Sequence, residues 1–98
     1  MPNNDDFIDI DLTPEYKRNL KNLAQKYRNI RSDTQSLIIE LQKGNLIGDP
    51  LVGFGEDIYV YKARVKNSNI KKGKSSGYRV IYLRESKISI VKVHRKYR

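Results

Sequence analysis

The chain contains no cysteine and one histidine. Without thiols there is no disulfide framework and no thiolate chemistry, so the fold must rest on its own core, and a reducing compartment is allowed. A single histidine with no cysteine leaves no tetrahedral zinc set. No apolar run approaches the roughly 18 residues that a membrane span requires. The N-terminus, with Asp5, Asp6 and Asp9, is polar and acidic, unlike a secretory leader. Gly73-Lys74-Ser75 looks like part of a phosphate-binding loop. The full G-x-x-x-x-G-K-[ST] pattern is missing, and no helical pattern follows, which excludes nucleotide binding of that type. These absences point to one soluble, cytoplasmic domain over 1–98, with 1–6 as a flexible lead, no metal and no small-molecule cofactor. Its hydrophobic content of 38% suffices for one modest core.

Acidic residues are scarce in the second half. Only Glu85 of the eleven Asp/Glu falls in 61–98, against thirteen of the twenty Lys/Arg, a net +12. Residues 1–60 hold seven cations and ten acids, a net −3. So steep an asymmetry points to a polyanionic partner.

Residues 7–12 alternate, with Ile8, Ile10 and Leu12 opposing Asp9 and Asp11, as in a half-buried strand. Thr13-Pro14 reads as an N-cap with proline at the first helical position. The helix is expected to run to about Arg28, with Tyr16, Leu20, Leu23, Ala24 and Tyr27 on one face. Ser32 and Gln35 form a capping-box pattern for a second helix with Leu37, Ile38 and Leu41 inward; Gly44 stops it. Gly48-Asp49-Pro50 reads as a turn, and Gly53-Phe54-Gly55 as a flexible point. Strands are then expected at 58–65, 78–84 and 87–94, the first two joined by a lysine-bearing loop. The fold class is α+β in the order β-α-α-β-β-β: a twisted antiparallel sheet with a helical hairpin on one face. The partner of the first strand is left open.

Period two sorts the late strands into faces. Lys62 and Arg64 oppose Tyr61, Ala63 and Val65. Arg79 opposes Tyr78, Val80 and Tyr82, while Lys92 and His94 oppose Val91 and Val93. If the register aligns them, Lys62, Arg64, Arg79 and His94 converge on the face away from the helices. An antiparallel sheet ordinarily carries such residues on its wet side. As a set they stand out because Glu85 is the only acid in that half. Positioned cations of this kind can stabilise the charge that develops when a phosphodiester is cleaved.

Tyr61-Lys62-Ala63-Arg64-Val65, followed by Gly73-Lys74-Ser75-Ser76-Gly77-Tyr78-Arg79-Val80-Ile81-Tyr82, resembles the RelE/ParE toxin superfamily. Gly48-Asp49-Pro50-Leu51 resembles its "G-x-P-L" turn, and the element order is similar over nearly the whole chain. The resemblance implies the toxin of a type II toxin–antitoxin system: a ribosome-dependent mRNA endonuclease that works without metal and inhibits translation. It would activate the RNA 2′-OH against the adjacent phosphate. Lys62 and Arg64 then match the family's basic pair, one of which acts as base or orients the nucleophile. Arg79 matches the "G-Y-R" arginine that holds the scissile phosphate. The implied partners are a cognate antitoxin and the ribosome, through rRNA and A-site mRNA.

The ending departs from the family's "H-R-x-x-x-Y" or "Y-S-K-S" patterns: the chain finishes His94-Arg95-Lys96-Tyr97-Arg98. Imidazole exchanges a proton near neutrality, so His94 is a candidate acid or base, with Lys96 or Tyr97 as substitutes. Lys66, Lys71, Lys72, Lys74, Arg95 and Arg98 are candidate RNA contacts, and Tyr97 a candidate stacking residue. Asp49 sits where some relatives carry a carboxylate proposed as a base, but it is read here as a turn former. Tyr16 and Tyr27 belong to the helix core, and Tyr59, Tyr61, Tyr78 and Tyr82 to sheet packing. Two alternatives share the fold: a ParE-like, gyrase-inhibiting toxin, and a catalytically decayed module that binds RNA or antitoxin.

Overall fold

The structure is a computed structural model that describes residues 7–53, 58–70 and 77–95. It is an α+β domain: β1 (Ile10–Leu12), α1 (Pro14–Ala24), α2 (Ile30–Gln42), β2 (Asp49–Gly53), β3 (Tyr59–Val65), β4 (Tyr78–Arg84) and β5 (Ile88–Arg95). The sheet has five strands in the order β1-β5-β4-β3-β2. It is mostly antiparallel, and β1 lies parallel to β5 at one edge.

Thr13 starts α1 as its sequence suggests. Its hydroxyl oxygen accepts from Tyr16 N–H at 3.2 Å. The hydroxyl hydrogen reaches back to β5, where the carbonyls of Ile90 and Val91 lie at 2.8 and 3.0 Å. The cap thus also ties the helix to the sheet. The helix ends at Ala24, a turn earlier than expected, and a tight turn carries Tyr27 into the core.

The second helix does not use the Ser32–Gln35 capping box. It begins three residues earlier, at Ile30 with Asn29 as N-cap, and the Ser32 hydroxyl donates to the Asn29 carbonyl instead. Its start is held from forty residues away: Asn29 N–H donates to Asn69 Oδ1 at 2.7 Å, and Asp33 accepts from Ser68 N–H at 2.9 Å. Because α2 is capped from the β3–β4 connection, a local motif could not predict its boundary. Gly44, at φ +93°, terminates it.

β2 occupies a segment read as turn and flexible point. Gly48 alone makes the turn, at φ +101°, so Asp49 and Pro50 open a strand. Proline is tolerated there because β2 is an edge strand.

Tyr16, Ile30 and Leu41 from the helices meet Tyr78, Val80, Tyr82, Ile88 and Ile90 from the sheet, all fully buried. Tyr61 stacks on Tyr82 with ring centroids 5.1 Å apart, and Tyr82 donates to the Ile47 carbonyl at 2.6 Å. Tyr59, at 39% exposed, is the one strand tyrosine outside this core. Among the described residues no helix is long and apolar enough to cross a membrane.

Burial, then the nearby charges of Asp33 and Tyr27, push the Tyr78 phenol up to about 12 from its ordinary 10.0. Burial raises Tyr16 and Tyr82 as well. A phenol raised in the folded state contributes its full stability below the unfolded value. That contribution is lost as pH climbs from there through the folded value. Stability should therefore be flat up to about pH 10 and fall steeply toward about pH 12. Phenolate absorbance followed alongside circular dichroism checks this. Tyr16, Tyr78 and Tyr82 should ionise only as the fold is lost, and all seven tyrosines titrating together in a folded protein would contradict it.

Candidate functional site

The sheet face opposite the helices carries the cations. Arg64 pairs with Arg79 across β3 and β4, and Arg79 pairs with His94 across β4 and β5. The three side chains form one row on neighbouring strands, where directly opposed Cβ atoms sit about 5 Å apart. The next row along the strands reads Asp49, Lys62, Ile81, Lys92. Lys62 is therefore diagonal to Arg79 rather than in its row.

A β-bulge makes this arrangement possible. Strict alternation along β5 would put Ile88, Ile90, Lys92 and His94 on the same side. The register instead steps from Ile81↔Lys92 to Tyr82↔Ile90, which leaves Val91 as an extra residue. That insertion reverses the phase, so Ile88, Ile90 and Val93 enter the core while Lys92 and His94 face outward.

Like charges directly opposed across strands are destabilising, and among the described residues no carboxylate lies within ion-pair distance of Arg64 or Arg79. The ion pairs among the described residues are Lys43–Glu40 and Lys92–Glu15, each at 3.7 Å. Neither involves Lys62, Arg64 or Arg79. Glu85, the only acid of the basic half, lies in the β4–β5 turn at the opposite end of β4 from Arg79, so it does not serve the row. Asp49 is the acid closest in register, directly across from Lys62. Its place in a strand was masked in the sequence by the Gly-Asp-Pro composition.

Arg79 Nε is shut off from solvent and has no hydrogen-bond partner. An unsatisfied buried donor costs about 1–3 kcal/mol. His94 Nδ1 lies 3.2 Å from the Arg95 carbonyl oxygen. An Nδ1–H donates there, which leaves Nε2 as the position that exchanges a proton.

Arg95 takes the other side of the sheet, its guanidinium 5.7 Å from the Tyr27 ring centre. Lys66 lies just past β3, beside a groove shared with Asp33, Glu40 and Arg64. Lys71, Lys72, Lys74, Lys96, Tyr97 and Arg98 lie outside the described residues. Among the described residues, no group of three His, Cys, Asp or Glu comes together.

No family model, curated protein or solved structure matches this chain.

Proposed function

We propose that the chain is a ribosome-dependent mRNA endonuclease of the RelE type, the toxin of a toxin–antitoxin pair. The observation that carries this reading is the Arg64–Arg79–His94 row, flanked by Lys62 and without an acidic ion-pair partner among the described residues. In the proposed reaction the RNA 2′-OH loses its proton and its oxygen bonds to the adjacent phosphorus. The bond from phosphorus to the 5′ oxygen breaks, and that oxygen takes up a proton. The products are a 2′,3′-cyclic phosphate and a free 5′-OH.

A guanidinium does not give up its proton in proteins, so Arg64 and Arg79 stabilise charge rather than move protons. Arg79, central in the row, faces the non-bridging oxygens. Proton transfer falls to His94, with Lys62 placed to orient the nucleophile. The cations beyond the row attract the ribosome's RNA and speed encounter. They also suit an acidic antitoxin segment.

Primer extension on mRNA from induced cells tests the reading. Growth arrest with new mRNA ends inside codons is expected. Normal translation accompanied by DNA breaks would instead indicate a gyrase-directed toxin. Ribosome binding without new ends would indicate a module that binds but does not cut.

A further inference from the structure

We propose that the groove between α1 and the outer edge of β5 holds one unstacked nucleobase, and that Asn19 and Asn22 read it. The proposal takes its ligand from the nuclease reading, because the groove adjoins the row assigned to the scissile phosphate. It is about 300 Å³ in volume and lined by Asn19, Asn22, Leu23, Val93, His94 and Arg95. That is at the small end of ligand pockets. His94 belongs to both the groove and the row, so a nucleotide with its phosphate at Arg79 has its base within reach of α1.

The groove exists because β1 pairs only with Ile88, Ser89 and Ile90. Beyond them no strand among the described residues pairs with this edge of β5, and α1 lies along it. Asn19 Oδ1 accepts from Val93 N–H at 3.1 Å, as a neighbouring strand would. This bond fixes the amide, and among the described residues no acceptor engages Nδ2. The Asn22 side chain is exposed and makes no hydrogen bond among the described residues. The half-buried Leu23 gives the groove an apolar wall for a flat ring, and Arg95, steadied over Tyr27, offers a guanidinium plane for stacking.

Carboxamides match a neutral ligand that carries both donors and acceptors. A free phosphate would be better held by the cationic row. An asparagine amide pairs bidentately with the N6 and N7 of adenine, so a purine should be preferred.

The test is an NMR titration of the full ¹⁵N-labelled chain with 2′-deoxy dinucleoside monophosphates, which lack the attacking hydroxyl, and with inorganic phosphate. Purine dinucleotides should move the Asn19 and Asn22 side-chain amide signals and bind about fivefold or more tightly than pyrimidine ones. Asn22→Ala, at an exposed helix position where alanine is favourable, should abolish that difference and leave phosphate binding unchanged. Asn19→Asp keeps the acceptor for Val93 and removes the donors, so it should also flatten the preference. The proposal fails if the amide signals stay still, or if phosphate and every base move them alike. Base-dependent shifts in a chain that cuts no ribosome-bound mRNA would uphold the base site and remove the nuclease reading. An active nuclease whose codon profile is the same in wild type and Asn22→Ala would remove the base site alone.

Discussion

Arg79→Ala is expected to lower mRNA cleavage on ribosomes by about 10²–10³-fold, the usual effect of deleting one donor aimed at developing charge. The same variant should be as stable as the wild type, or more stable by up to about 1 kcal/mol, because it relieves opposition between Arg79 and its neighbour Arg64. It also removes a buried Nε that has no partner. A purely structural arginine would behave differently, since its loss would weaken the fold and leave any intrinsic activity per folded molecule intact. Arg79→Lys separates charge from geometry: it should recover only a small part of the rate, because an ammonium cannot offer the two-pronged contact that a guanidinium gives a phosphate. Cleavage rates and urea unfolding measured on the same preparations decide between these accounts. Full activity in a folded Arg79→Ala protein would end the role assigned to this residue.

Gly48→Ala should destabilise the protein by about 3 kcal/mol, combining left-handed strain with overpacking. Gly48 sits at φ +101°, and an added Cβ would run into the Lys62 carbonyl oxygen and lie 2.9 Å from Ala63 Cα. Neither atom can yield without moving β3, since both are backbone in a strand paired on its other side to β4. The clash therefore pushes β2 away and takes Asp49 from its place opposite Lys62. Urea unfolding should show a lower midpoint. Amide exchange should speed up first in β2 and the outer edge of β3, while β4 and β5 keep their protection until global unfolding. A midpoint equal to the wild type would contradict this account of the turn.

Much of this fold is legible wherever local chemistry and period agree. Thr13 and Pro14 mark the start of α1, and β4 covers 78–84 as its alternation suggests. Gly44 ends α2. The cationic row follows from period two once the register is known, and three successive antiparallel strands supply that register. Features set by distant parts of the chain are not legible in this way. The start of α2 depends on Asn69 and Ser68, and the short β1 depends on the three residues of β5 that it meets. β2 hides behind a Gly-Asp-Pro composition that belongs to its first residues as well as to the turn. The bulge at Val91 had a trace in the sequence. Ile88 and Ile90 share parity with Lys92 and His94, a conflict that one extra residue resolves. Charge counts mislead about Glu85, which is near in sequence but at the far end of the sheet.

The most direct test of the central claim is the chemistry of the RNA ends made by the purified chain on a defined mRNA, free and bound in the ribosomal A site. Expected are 2′,3′-cyclic phosphate and 5′-OH ends from the ribosome-bound message, little cutting of free RNA, and loss of both products with Arg79→Ala. Ends carrying 5′-phosphate and 3′-OH, or no cutting by a folded chain that still binds ribosomes, would contradict it.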